Sequence, residues 1–402
     1  MIKLSMTALI ATTILTIGVM AEADIKIGGQ GVFYYQTNDS ADSSFFDQES
    51  SSANAGLELS LKADLGSGFD LEYQETFLGT LGLEKDIVSG TRQNAHDGDL
   101  NSHSMTRFYM SKEVDNTLIK FGRQELPKSL SPLAFSESWN VFKNSFDAVV
   151  VVNKDIIDTT IVGAYVSGSN RHNNLSKFDD LSANSLALEQ KGVAGTLNSG
   201  AYMLTVVNNS IKNVPITASY YSLKDIAGLE SGNALWLDVK SNNEPLKVAF
   251  QLGQIDPSND LDETTAFGLK ISGKVQDVGL SLAYATVNDG DVAIQNIGTG
   301  VKTPLYTQMI ANQNFIARDA DSFVLKAVGK LPVGKLIAQY NMTTDNSDAE
   351  NDYSEFDLIY KFKALDTNMF LAYIGQTTEK KTFTGGTEKS ANTVRFWSRY
   401  SF

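Results

Sequence analysis

From residue 24 onward, apolar and polar positions alternate in segments of about ten residues, the period of strands that put one face in an apolar medium and the other in water. In 353 to 363, Phe356, Leu358, Tyr360 and Phe362 alternate with Glu355, Asp357, Ile359 and Lys361. In 264 to 273, Phe267, Leu269 and Ile271 stand opposite Lys270 and Ser272; in 278 to 287, Val278, Leu280, Leu282 and Tyr284 share a face. Further segments fall at 24 to 36, 54 to 65, 68 to 78, 103 to 113, 117 to 124, 144 to 153, 157 to 166, 200 to 208, 214 to 222, 233 to 241, 245 to 255, 320 to 330, 334 to 342, 368 to 377 and 392 to 402.

The connections alternate in length. Short ones lie at 66 to 67, 114 to 116, 154 to 156, 209 to 213, 242 to 244, 274 to 277, 331 to 333 and 364 to 367. Long polar ones lie between them, at 37 to 53, 79 to 102, 125 to 143, 167 to 199, 223 to 232, 256 to 263, 288 to 319, 343 to 352 and 378 to 391. This predicts an all-β fold: a transmembrane antiparallel β-barrel of about eighteen strands, with short periplasmic turns and long external loops. The parity assigns 188 to 197 to the fourth loop or to an extension of the eighth strand. No linker interrupts 24 to 402, so one barrel domain is expected.

Both ends agree. Lys3, the apolar run Met6 to Met20 and the small residues of Ala21-Glu22-Ala23 have the layout of a cleaved signal peptide over 1–23, and the run is shorter than the ~20 residues of a spanning helix. In the last segment Val394, Phe396, Tyr400 and Phe402 share one face, while Arg395, Arg399 and Ser401 share the other. Tyr400 and Phe402 are expected to form the assembly signal read by the outer-membrane insertion machinery, with this strand pairing to 24 to 36.

Composition narrows the classes. The 402 residues include 31 Gly, 21 Phe, 15 Tyr and only 7 Pro, and the mean hydropathy of -0.15 averages a wet face with a lipid face. With no Cys there is no disulfide framework and no thiol chemistry. A net charge of -14 argues against nucleic acid as a partner and suits a surface facing cations.

A barrel of this size leaves an aqueous lumen, so function depends on what narrows it. The loop 125–143 carries Leu, Phe, Trp and two Pro, and folding into the lumen would cover them. Packing over the external mouth or against a neighbouring subunit is the alternative. If the loop folds inward, Glu125, Lys128, Glu137 and Lys143 set the charge of the constriction. Period-2 alternation turns Arg107, Lys120, Lys240, Lys270, Lys335, Lys361, Arg395 and Arg399 toward water as a basic wall, and opposed signs across a constriction create a transverse field. Arg395 and Arg399, flanking Trp397 on one face, stand out from ordinary solvated wall.

The run Phe121-Gly122-Arg123-Gln124-Glu125-Leu126-Pro127-Lys128-Ser129-Leu130-Ser131-Pro132, continuing through Trp139-Asn140-Val141-Phe142-Lys143-Asn144-Ser145-Phe146-Asp147-Ala148, resembles the major outer-membrane porins of campylobacter-type bacteria and, more distantly, OprD-type porins. The resemblance implies a trimeric eighteen-strand porin of the bacterial outer membrane, in contact with lipid and lipopolysaccharide, passing ions and small hydrophilic solutes past its third loop.

The leading expectation is passive diffusion with a mild preference for cations. A substrate-specific channel for small anionic or zwitterionic nutrients and a surface adhesin or structural barrel are the alternatives. No enzyme is expected: His96, His103 and His172 lie in or beside external loops, and only His103, at a strand start, could serve a Ser-His-Asp triad. No cofactor is expected either. Asp345-Asn346-Ser347-Asp348-Ala349-Glu350-Asn351-Asp352 offers oxygen ligands for a loop-bound divalent cation but lacks the full EF-hand spacing, so a solvated loop is the plainer reading.

Overall fold

The computed structural model describes residues 24–40, 43–96, 99–180, 200–224, 232–257, 261–347, 351–380 and 387–402. The expected signal segment 1–23 and the segment 188 to 197 lie outside these. The strands are β1 (Ile25–Asp39), β2 (Ser51–Gly66), β3 (Phe69–Gly79), β4 (Ser102–Val114), β5 (Thr117–Gln124), β6 (Phe146–Asn153), β7 (Thr159–Arg171), β8 (Asn174–Asp180), β9 (Ala201–Asn208) and β10 (Ile216–Leu223). They continue as β11 (Gly232–Ser241), β12 (Leu246–Asp256), β13 (Thr264–Val275), β14 (Val278–Val287), β15 (Ala320–Lys330), β16 (Lys335–Asp345), β17 (Asn351–Ala364), β18 (Thr367–Lys380) and β19 (Thr387–Ser401).

Each strand pairs antiparallel with its sequence neighbour, and β1 pairs with β19 from Gln30 opposite Ser401 to Asp39 opposite Asn392, so the sheet closes on itself. The exception is β8, which pairs with the far end of β7 while β7 continues its ladder with β9. β8 is therefore an arm within the fourth loop, and eighteen strands make the wall. All eighteen fall on the segments with period-2 patterning.

The pleat sorts side chains between two media. Phe267, Leu269 and Ile271 on β13, Leu280 and Leu282 on β14, and Phe323 and Leu325 on β15 point outward and stay exposed. An apolar outer surface this continuous needs hydrocarbon around it. Short turns reverse the chain at one end: Leu365 and Asp366 both take positive φ, 50° and 57°, the twist that joins antiparallel strands most tightly.

Inside, the barrel is filled asymmetrically. Inward residues of β6, β7 and β9 to β14, among them Val150, Val166, Met203, Trp236 and Ala285, form one buried cluster with Leu126 and Leu133 of L3 (125–145) and with Val292, Ile294, Ile297 and Leu305 of L7 (288–319). The sequence reading of 288 to 319 as an external polar loop is corrected here. Its apolar residues come in clusters rather than at a strand period, and the apolar inner face of half the barrel gives them cover. L7 approaches so closely at Gly298 that a Cβ there would sit 2.3 Å from the Phe146 ring. L2 (80–101) also enters, burying Val88 and Ala95.

Candidate channel lumen

The open side of the lumen runs along β1 to β4 and β19. On β4 a bulge falls between the pairs Gln74 with Arg107 and Glu75 with Met105, so that Thr106 and Arg107 both turn inward. Thr106 and Thr76 join hydroxyls at 2.7 Å, and the Arg107 guanidinium donates to Glu72 at 3.3 Å and to Glu125 at 2.6 Å. On β5, opposite Tyr109, Gly122 has φ 117°, and a Cβ there would lie 2.4 Å from the Phe108 carbonyl oxygen, so the strand contact admits only glycine.

Glu125 accepts a second ion pair, 2.6 Å from Lys143 at the far end of L3. The base of the loop is thus drawn together by one carboxylate and tied to the wall by Arg107. Burial would push the Glu125 carboxyl up, but Arg107 and Lys143 outweigh it and hold the group below the usual 4.5. This node lines a cavity of about 460 Å³ together with Gln30, Glu58, Ser60, Trp397 and Arg399.

Arg399 bridges wall and loop, donating to Gln30 Oε1 and to the Val141 carbonyl oxygen, each at 2.8 Å. Arg395 is buried and donates through Nε to Gln36 Oε1 at 3.0 Å. Between them, Trp397 stacks on Phe370 with ring centres 5.1 Å apart.

The remaining candidate residues divide. Lys120 lies beside the Tyr109 hydroxyl at 3.5 Å, Lys240 pairs with Asp238 at 3.1 Å, and Lys270 sits 5.8 Å over the Tyr306 ring. Lys335 stands directly across from Lys361 on one side and from Lys330 on the other. Like charges placed opposite one another destabilise a sheet, and these three lysines line a cavity of about 520 Å³ at the turn end of the barrel. Lys326, absent from the sequence-level candidates, lies within electrostatic reach of Lys270, Lys335 and Lys361 and joins them into one row.

Glu137 and Lys128 sit in the loop packing rather than on the passage. Glu137 is 3% exposed and bonded to L7; Lys128 donates to the Pro304 carbonyl oxygen at 3.3 Å. Burial brings the Lys128 ammonium down to about 8, and that of Lys302 in L7 likewise to about 8. At the barrel seam the main chains of Phe402 and Gly29 exchange two hydrogen bonds of 3.0 Å, and Tyr400 and Phe402 point outward. Among the described residues no group of three or more His, Asp or Glu side chains is arranged to hold a metal ion. Residues 348–350 of the Asp-rich loop are outside the described set.

No protein-family model and no curated protein sequence matches the chain. Solved structures do match in fold. Acinetobacter baumannii OccAB3 aligns with a TM-score of 0.74 at 16% identity, covering 94% of this chain and 99% of that one. Pseudomonas aeruginosa OccK8 (OprE) aligns with a TM-score of 0.73 at 13% identity, covering 94% and 98%. A BenF-like porin from Pseudomonas fluorescens Pf-5 aligns with a TM-score of 0.69 at 13% identity, covering 94% and 99%. The chain therefore has the fold of these eighteen-stranded barrels.

Proposed function

We propose that this protein is a bacterial outer-membrane porin, related to the campylobacter-type group, that lets small hydrophilic solutes diffuse through a lumen narrowed by L3 and L7. We include in the proposal export by cleavage of a signal peptide over 1–23 and assembly as a homotrimer. The observation that carries the reading is the charged passage between the Arg107–Glu125–Lys143 node and Arg399, inside a barrel with an apolar exterior. A charge pair placed across a narrow aqueous path orients polar solutes and discriminates ions by sign. Purified protein in planar bilayers should give stepwise single-channel currents; a preparation that inserts yet stays silent rules the porin reading out.

For selectivity, the row Lys240, Lys270, Lys326, Lys335 and Lys361 favours small anionic solutes. The net charge of -14, which argued for cations, counts every loop and turn of the chain, whereas a permeating ion meets the lumen wall. Saturable block of the current by small carboxylates would support an anion track.

A further inference from the structure

Four loops meet around Glu137. Asn296 Nδ2 donates to Glu137 Oε1 at 2.8 Å and the main-chain N–H of Lys302 at 3.2 Å; the Thr299 hydroxyl reaches the same oxygen, and Trp139 Nε1 donates to the other. Over the Trp139 ring stand Arg92 of L2 at 4.9 Å and Lys302 of L7 at 5.2 Å, with the His172 ring of the fourth loop 5.5 Å away. The His172 main chain is held too: its carbonyl oxygen accepts from Gln93 at 2.8 Å and from Asn140 at 2.6 Å.

We propose that Glu137 is a positioning residue that locks L3 to L7, and that protonation of His172 releases the lock and widens the passage. The proposal rests on the porin reading for its consequence, not for its geometry. Glu137 already stands within electrostatic reach of two cations, Lys128 and Lys302, while Arg92 stands over the adjoining Trp139 ring. A third, on His172, leaves an excess of positive charge around one carboxylate and one aromatic ring. Arg92 also faces Tyr34 and Arg395, and Lys302 faces Glu355, Asp357 and Arg395.

Burial, reinforced by Arg92 against the opposing pull of Glu137, holds the His172 imidazole below its ordinary 6.5. The neutral ring therefore belongs to the locked state. The lock is at full strength above the ordinary value and weakens as pH falls from there through the lowered one.

The chain has no native cysteine, so nitroxide labels at Ser138→Cys in L3 and Asn314→Cys in L7 report the loop separation of the full-length protein in liposomes. Parallel bilayer recordings report the current. At about pH 7.5 a single narrow distance and quiet channels are expected, and at about pH 5 a broadened, longer distance with larger, noisier currents. Glu137→Gln should show the acid pattern at both values, and His172→Gln the neutral pattern at both. A Glu137→Gln protein whose loop distance matches wild type overturns the lock, and a His172→Gln protein that still responds to acid overturns the sensor. Silent bilayers with the expected distances would overturn the porin reading while supporting the lock.

Discussion

The Arg399 guanidinium donates to the Val141 carbonyl oxygen at 2.8 Å, so the strand that closes the barrel also anchors the loop that narrows it. A charge-assisted bond of this kind contributes about 1.5–3 kcal/mol. Arg399→Ala should therefore leave the barrel assembled but loosen the 139–143 end of L3. Hydrogen exchange should show protection lost around Val141 and Phe142, and unchanged protection there would mean that the anchor contributes nothing.

We propose that the outer face of the same strand serves assembly. Deleting Phe402 removes both main-chain bonds to Gly29 at the seam, and the protein should accumulate unfolded or unassembled in the cell envelope. Arg395→Ser, which changes only the inner face, should assemble normally and shift selectivity toward cations. Equal assembly defects in both variants would contradict the division of labour between the two faces.

Lys335 offers an unusual sign. Lys335→Glu replaces two opposed like-charge pairs, with Lys330 and Lys361, by opposite-charge pairs, which should stabilise the sheet by roughly 0.2–1 kcal/mol per pair. The same change should lower the anion-to-cation permeability ratio. A more stable barrel with unaltered selectivity would remove the lysine row from the conduction path.

Glu125 should respond to acid late. Its carboxyl is held below the usual 4.5 despite burial, so the contribution of its ion pairs is complete above that value and is lost only as pH falls through the lowered one. In the His172→Gln protein, whose loops do not respond to acid, selectivity should stay flat from neutral pH down to about 4.5 and then move toward anions. Glu125→Gln should have the acid-limit selectivity at every pH. Titration of the His172→Gln protein well above 4.5 would place the controlling charge elsewhere.

The wall was legible because a strand with lipid on one side and water on the other writes its orientation into every second residue. Phe356, Leu358 and Tyr360 against Glu355, Asp357 and Lys361 needed no tertiary information. Lys326 obeys the same alternation, opposite Leu325, and could have been included. L7 was not legible, because Val292, Ile294 and Ile297 find their cover on distant strands rather than in any local period. Glu137 is the clearest case. As sequence it is a charged residue in a loop with a water-filled fate, but its partner Asn296 lies 159 positions away, and only the fold shows that the carboxylate clasps two loops. β8 was hidden for a related reason: it pairs within a loop and adds nothing to the alternation of short and long connections.

The most direct test of the account is the reversal potential of the purified wild-type protein across a planar bilayer under a salt gradient. A stepwise current whose reversal potential reports anion preference, diminished in Lys335→Glu, is the predicted result; an inserted barrel with no current, or a cation-selective current indifferent to that substitution, would contradict it.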